Sequence, residues 1–210
     1  MRPLLKLCGL HSLADVRAAA RSEADYLGFI FADSRRRVSH EMVSQWLSSV
    51  DIQNKKTVAL FVNESLEGIN AALKGLNVDV IQCHGTESPT FLNEVKTSFN
   101  VNVWKVIHHG EGSLTKMKSY AGIADGYVID RKHRGKWGGT GHSFDWSQVP
   151  AYLHEGMSQG VPVFIAGGIR PDNISELLRY SPDGVDVSSG VEQEGKKSAM
   201  LITELEERMK

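Results

Sequence analysis

Three short runs of small residues follow apolar, strand-like stretches in the second half of the chain. They occupy residues 138–141 (GGTG), 166–168 (AGG) and 188–190 (SSG). Glycine lets backbone N–H groups approach a ligand closely, and adjacent N–H groups suit the oxygens of a phosphate. One such run is an ordinary turn, but two of these end consecutive strands, as in the phosphate site of a (β/α)₈ barrel. The pattern predicts a phosphorylated small molecule as ligand, with the phosphate held by Gly141, Gly167, Gly168, Ser188, Ser189 and Gly190.

Polar side chains at the ends of predicted strands form a second candidate site. Side chains alternate across a strand, so Lys6 and Cys8 share one face while the leucines between them share the other. Leucines belong beneath the helices, which directs Lys6 and Cys8 into the barrel. The same rule predicts that these residues also point inward: Gln82, His84, Lys105, Val128, Asp130, Asp186 and Ser188. Polar groups at the carboxyl ends of barrel strands face the active site, which favours an enzyme.

Each candidate also has a structural interpretation. Cys8 can be a small buried hydrophobe, and Asp130 can cap the loop that follows it. Lys6 and Asp186 lie on strands that become neighbours when a barrel closes, so we favour a buried ion pair over separate catalytic roles. His84 is either a hydrogen-bonded core histidine or a substrate contact.

No metal site is predicted. His108 and His109 have no carboxylate or cysteine at a clear ligand spacing. Cys8 and Cys83 match neither a zinc pattern nor a disulfide framework, and alternation directs Cys83 toward the helix layer. A reduced cytoplasm is therefore the expected location.

A run of three arginines, residues 35–37, follows the second predicted strand. Such a run is usually a solvated surface feature. Here it lies at the active end of the barrel, opposite the glycine-rich loops. A substrate with a phosphate at one end and a carboxylate at the other would need a bidentate cation at this place.

The elements that position these groups alternate along the chain. Apolar runs recur at residues 4–7, 26–31, 57–62, 78–82, 101–107, 126–129, 161–165 and 184–187. Most are separated by amphipathic segments that predict helices. These run from Ser12 through 21, from Ser39 through 46, from 171–173 through 179 and from about 197 to 209, whereas residues 108–120 make a poor helix. We predict one (β/α)₈ (TIM) barrel domain over residues 1–210, with a doubly wound open sheet as the alternative.

Composition narrows the classes of partner. The 210 residues carry 24 basic and 25 acidic side chains, so there is no basic excess to hold a nucleic acid or an anionic membrane. No apolar stretch approaches the ~20 residues of a membrane span, and the apolar run after Met1 is too brief for a signal peptide. We expect a monomer or a homodimer.

Taken in order, the motifs of this chain resemble those of the phosphoribosylanthranilate isomerase family. The matching segments are residues 6–9 (KLCG), 28–31 (GFIF), 61–64 (FVNE), 82–85 (QCHG), 138–141, 144–146 (FDW), 166–168 and 185–192 (VDVSSGVE). They cover the chain from about residue 5 to residue 197. The first and last of these motifs together are more specific than the glycine-rich loops, which other phosphate-binding barrels share.

The resemblance implies a (β/α)₈ barrel that performs an Amadori rearrangement in tryptophan biosynthesis without a cofactor or metal. The substrate would be N-(5-phosphoribosyl)anthranilate. The family's general base corresponds to Cys8, its general acid to Asp130, and its carboxylate-binding arginine best matches Arg36, with Arg35 and Arg37 as alternatives. Lys6 would favour the thiolate unless Asp186 neutralises it, and a low-dielectric barrel mouth with a nearby anionic substrate would encourage Asp130 to hold its proton. A non-catalytic sugar-phosphate-binding barrel and a related sugar-phosphate isomerase remain alternatives.

Overall fold

Eight parallel strands form a closed barrel in a computed structural model that describes residues 2–131 and 144–210. The strands are β1 Leu4–Cys8, β2 Tyr26–Ile30, β3 Lys56–Phe61, β4 Val80–Cys83, β5 Asn102–His109, β6 Gly126–Arg131, β7 Val163–Ala166 and β8 Gly184–Val187. Each strand pairs with its neighbour in sequence, and β8 pairs with β1. The predicted barrel is confirmed, and the open-sheet alternative is wrong.

Helices follow the strands on the outside of the barrel. They are α1 Leu13–Ala20, α2 His40–Ser49, α3 Leu66–Ala72, α4 Pro89–Phe99, α5 Ser113–Lys118, α6 Val149–Gln159, α7 Ile174–Leu178 and α8 Ala199–Arg208. Ser12 and Ser39 accept hydrogen bonds from backbone N–H groups of the first turns of α1 and α2, as predicted. The segment after β5 is helical for only six residues, because β5 itself continues to His109.

Two apolar cores lie on opposite faces of the strands. The inner core fills the lower part of the barrel and consists of Val58, Val80, Trp104, Val106, Val128, Phe164 and Ala166. Leu5, Leu7 and Cys83 belong to the larger core between strands and helices, which confirms the alternation expected for β1 and β4. The inner core closes the barrel below the carboxyl ends of the strands, and the polar side chains lie above it at those ends.

The predicted inward orientation of Lys105 is wrong. Its neighbours on β5, Trp104 and Val106, fill the inner core, so Lys105 points toward the helices instead. There its ammonium group lies 2.8 Å from a carboxylate oxygen of Glu87 and donates to the carbonyl oxygens of Cys83 and Gly85. These partners allow a charged group to be fully buried in the helix layer.

No helix in the described part of the chain combines the length and apolar character needed to cross a membrane.

Candidate active site

A cleft with an empty volume of about 770 Å³ opens at the carboxyl ends of the strands. The predicted site residues that line it are Cys8, Arg36, His84, Asp130, Gly167, Gly168, Asp186, Ser188, Ser189 and Gly190. Lys6 is fully buried and lies beneath the cleft. Gly141 lies outside the described residues, so its predicted phosphate contact has no structural counterpart here. The inward-facing residues came from strand alternation, the phosphate-binding candidates from the runs of small residues, and Arg36 from the resemblance; the barrel brings all three groups together.

Cys8 stands at the end of β1 beside a buried ion pair. Lys6 is the register partner of Asp186 across the β1–β8 seam, and its Nζ lies 2.8 Å from Asp186 Oδ2. The buried pair expected from strand adjacency is therefore confirmed. Gly28 on β2 leaves room for this arrangement, since a Cβ there would lie 3.0 Å from the Cys8 sulfur and 3.3 Å from Lys6 Cε.

The ion pair controls the charge around the thiol. Burial raises the pKa of Cys8, and Lys6 opposes that shift without cancelling it. Burial alone would lower the pKa of Lys6, but the charges of Asp186 and Cys8 outweigh it and raise the pKa. Since Asp186 neutralises much of the charge on Lys6, the free protein holds Cys8 as a thiol at neutral pH.

Asp130 ends β6 on the opposite wall of the cleft. One carboxylate oxygen accepts a hydrogen bond of 2.7 Å from the backbone N–H of Arg131, and the other lies 3.4 Å from His84 Nε2. Burial alone would raise the pKa of Asp130, but the bond and charge of His84 and the backbone N–H hold it below its ordinary value. Burial alone therefore does not keep this carboxyl protonated in the free protein, and the expected contribution of an anionic substrate stays a prediction.

Gly167 leaves space for the Asp130 carboxylate. Its backbone is left-handed, with φ +86°, and a Cβ there would lie 2.8 Å from Asp130 Oδ1. A side chain at this position would therefore be strained and would displace the carboxylate. Glycine is required here for two independent reasons.

His108 lies beside this pair and was not predicted as a site residue. Its Nε2 is 3.3 Å from the carbonyl oxygen of His84, and the two rings have centroids 5.4 Å apart. Burial lowers the pKa of His108 to about 4, and the neighbouring His84 adds to that shift. The imidazole of His108 is therefore neutral at neutral pH.

Arg36 is the one arginine of residues 35–37 that lines the cleft. Its side chain is 8% exposed, whereas that of Arg35 is 67% exposed. Gly9 leaves room for the aliphatic part of the Arg36 side chain, because a Cβ at Gly9, where φ is +76°, would lie 2.6 Å from Arg36 Cδ. Arg37 is exposed. The structure thus distinguishes Arg36, the best match by resemblance, from its two exposed neighbours.

Glu192 contacts Arg36 and is itself paired with Lys197; neither residue lines the cleft, and both were missed as functional residues. Both carboxylate oxygens of Glu192 accept hydrogen bonds of 2.7 Å from Arg36, and Lys197 donates to Glu192 at 2.8 Å. Burial alone would raise the pKa of Glu192, but the two cations outweigh it and lower the pKa. The only available signal was the position of Glu192 at the end of the 185–192 motif.

The glycine-rich loops after β7 and β8 pack against each other where they line the cleft. Gly167 and Gly168 both have positive φ, and a Cβ at Gly190 would collide with the carbonyl oxygen of Ile169. Among the described residues, no hydrogen bond uses the backbone N–H of Gly168 or of Ile169 as donor. Close backbones with available N–H groups suit a phosphate.

Known isomerases resemble this chain over nearly its whole length. It is 52% identical over 206 residues to the N-(5'-phosphoribosyl)anthranilate isomerase of Geobacillus thermodenitrificans, covering 98% of this chain and 93% of the relative. A phosphoribosyl anthranilate isomerase solved with reduced 1-(o-carboxyphenylamino)-1-deoxyribulose 5-phosphate is 25% identical, with a TM-score of 0.82 and coverage of 99% and 98%. Monomers generated from the dimeric enzyme of Thermotoga maritima are 26% identical, with a TM-score of 0.81 and the same coverage.

The family model described as N-(5'phosphoribosyl)anthranilate (PRA) isomerase matches residues 5–208, nearly the whole chain. With a curated relative above half identity and a closed barrel that carries a thiol and a carboxylate in one cleft, the chain belongs to the phosphoribosylanthranilate isomerase family.

Proposed function

We propose that this protein converts N-(5'-phosphoribosyl)anthranilate into 1-(2-carboxyphenylamino)-1-deoxyribulose 5-phosphate in tryptophan biosynthesis. The observation that carries the proposal is the composition of one cleft. It contains a thiol and a carboxylate, Cys8 and Asp130, together with an arginine and glycine-rich loops. A substrate with a carboxylate and a phosphate separated by a reacting sugar matches those three kinds of group.

The two anionic ends of the substrate fix its orientation. The phosphate binds the backbone N–H groups of the loops after β7 and β8, at Gly168 and Ser189. The anthranilate carboxylate binds near Arg36. Arg36 and Lys197 carry two positive charges against one negative charge on Glu192, so this cluster holds a net positive charge for the carboxylate.

The reaction then needs one acid and one base. Asp130 donates a proton to the ribose ring oxygen as the C1–O bond breaks, which leaves a protonated Schiff base between C1 and the anthranilate nitrogen. Cys8, as thiolate, removes the proton from C2, and that electron pair forms the C1=C2 bond of a neutral enolamine. A proton then leaves the C2 hydroxyl and another arrives at C1, which gives the ketone.

The remaining predicted residues support these two groups. Lys6 places a positive charge beside the Cys8 sulfur, and Asp186 holds Lys6 in position. His84 lies within 3.4 Å of Asp130 and orients its carboxylate. Each of the three acts on a reacting group rather than on the substrate, so we assign them positioning roles.

The direct test is incubation of the purified protein with freshly made phosphoribosylanthranilate, followed by the loss of its fluorescence. Turnover that requires Cys8 and Asp130 and is competitively inhibited by inorganic phosphate supports the proposal. Binding of a product analogue without turnover would favour a non-catalytic sugar-phosphate-binding barrel. Turnover of a sugar phosphate that lacks the aromatic ring, but not of this substrate, would favour a related isomerase.

We further propose that the protein is a cytoplasmic homodimer, with a monomer as the alternative. Cys8 and Cys83 are both free and buried, as suits a reducing compartment. The Thermotoga maritima enzyme is described as dimeric, which favours the dimer. Sedimentation equilibrium distinguishes the two states, and cell fractionation tests the location.

A further inference from the structure

Three side chains able to bind a metal meet at the ends of three consecutive strands. His84 follows β4, while His108 and Asp130 are register partners near the ends of β5 and β6. Their ligand atoms lie within 4.8 Å of one another. We propose that this cluster binds one divalent transition-metal ion such as Zn²⁺ and that the bound ion reversibly inhibits the enzyme.

The donor set selects the class of ion. Two imidazole nitrogens and one carboxylate oxygen suit Zn²⁺, Co²⁺, Ni²⁺ and Cu²⁺, whereas Mg²⁺ and Ca²⁺ prefer sites made of oxygen ligands alone. His84 and Asp130 are largely buried, and His108 is partly buried. The ligand atoms are therefore mostly shielded from bulk water.

The geometry needs little adjustment. Ligands about 2.1 Å from a tetrahedral Zn²⁺ lie about 3.4 Å from each other. His84 Nε2 and Asp130 Oδ2 are already 3.4 Å apart. The distances to His108 are at most 4.8 Å, so a shift of about 1.4 Å or less brings all three ligands to that spacing.

Neighbouring backbone groups orient the ligands. The Nε2–H of His108 donates toward the carbonyl oxygen of His84 at 3.3 Å, which makes Nδ1 the ring nitrogen that carries the lone pair. The backbone N–H of Arg131 holds Asp130 Oδ1 at 2.7 Å. Metal-binding histidines and carboxylates are usually oriented in this way by a second partner.

The position of the cluster explains the inhibition. His84 and Asp130 line the cleft, so the fourth coordination position faces the place where the substrate binds. A carboxylate bound to Zn²⁺ cannot carry the proton that the ring oxygen needs. This inhibitory part rests on the proposed function, whereas metal binding itself does not.

His109 supplies a matched control for His108. It is adjacent in sequence but points elsewhere: its Nδ1 lies 2.9 Å from the Tyr152 hydroxyl, and its ring stacks on Phe144. The same substitution, His→Phe, can therefore be made at both positions. It keeps an aromatic ring and removes the nitrogen ligands from the cluster in one case only.

The binding experiment uses chelator-treated protein, calorimetry with Zn²⁺ and visible absorption with Co²⁺. We expect one ion per chain, a Kd at least about tenfold higher in His108→Phe, and an unchanged Kd in His109→Phe. Asp130→Asn should also weaken binding and decides the question if His108→Phe does not fold. Cys8→Ala should bind normally. Absence of binding, equal binding by His108→Phe, or loss of binding in Cys8→Ala would each overturn the site.

The inhibition experiment measures kcat/KM of the wild type with added Zn²⁺. We expect a fall that EDTA reverses and that His108→Phe resists at the same Zn²⁺ concentration. Binding at the cluster with undiminished turnover would overturn the inhibitory role. A protein without any isomerase activity would contradict the proposed function instead, and the binding titration would still decide whether the metal site exists.

Discussion

Arg36→Met offers the sharpest test of how the substrate is oriented. In the wild type, Arg36 and Lys197 carry two positive charges against one on Glu192, and a bound carboxylate would balance the remainder. In the variant, Lys197 neutralises Glu192, and the cation left beside them is Arg35, which lies 3.3 Å from Glu192 but is 67% exposed and therefore screened by solvent. A lost charge-assisted hydrogen bond is worth about 1.5–3 kcal/mol, or about a ten- to hundredfold change in binding.

The loss should appear mainly in KM. Arg36 lies at the carboxylate end of the cleft, so the proton-transfer groups Cys8 and Asp130 remain and kcat should change less. Steady-state kinetics separates the two parameters. A thermal melt checks folding, and Lys197 remains 2.8 Å from Glu192 to limit the damage to the buried carboxylate.

The neighbouring arginines are the controls. Arg35→Met and Arg37→Met remove the same charge from exposed positions, so each should leave KM nearly unchanged. Arg36→Lys keeps the charge but loses the two-pronged bond to Glu192, and it should fall between wild type and Arg36→Met. If an Arg35 or Arg37 variant raises KM and Arg36→Met does not, the assignment of Arg36 is refuted.

Three further outcomes follow from the site. Cys8→Ala and Asp130→Asn should each lower kcat at least about a hundredfold in stopped-flow or steady-state assays, and near wild-type turnover would remove that residue from the mechanism. Gly167→Ala and Gly122→Ala both place a side chain at positive φ, so each should lower the free energy of unfolding in urea by about 1–2 kcal/mol. Only Gly167→Ala should also lower kcat, because a Cβ at Gly122 meets no atom within 4 Å. The rate at which iodoacetamide alkylates Cys8 in a Cys83→Ala background should still be rising with pH at pH 9.0, because burial raises the pKa of the Cys8 thiol above that value. A rate that levels off below pH 9.0 would contradict the balance of charges around Cys8.

The catalytic candidates on the strands were found because their orientation follows from strand alternation. Leu5 and Leu7 show which face of β1 lies under the helices, and this fixes Cys8 without any knowledge of distant residues. The segment around Lys105 reads VWKVI, which is apolar on both sides of the lysine, so alternation gives no phase. The size of Trp104, which fills the barrel, and the counter-charge of Glu87 decide the orientation instead.

The residues missed from sequence depend on contacts across the barrel. Glu192 meets Arg36 across 156 positions of sequence, and no local pattern encodes that pair. His108 was set aside because spacing along the chain gave no ligand set, yet the register of β5 and β6 places it opposite Asp130. The spacing of residues along the chain predicts metal sites within one element, whereas the ligands of the proposed site come from the ends of three different strands.

The protonation states of Cys8 and Asp130 link the structure to the catalytic cycle. In the free protein the proton resides on Cys8 and not on Asp130, because burial raises the thiol pKa and His84 holds down that of the carboxyl. The proposed first step consumes a proton from Asp130 and the second places one on Cys8, so the product complex ends in the state that the free protein favours. Each turnover must therefore return a proton from Cys8 to Asp130, directly or through solvent.

The form with the proton on Cys8 and the form with the proton on Asp130 have the same net charge, so pH does not alter their ratio. Binding of an anionic substrate shifts this ratio by raising the pKa of Asp130. We therefore expect kcat to be lower in D₂O than in H₂O at equivalent pH values on either side of neutrality. Identical rates in the two solvents, with single-turnover kinetics that show chemistry to be slow, would mean that neither this proton return nor the transfer from Asp130 to the ring oxygen limits turnover.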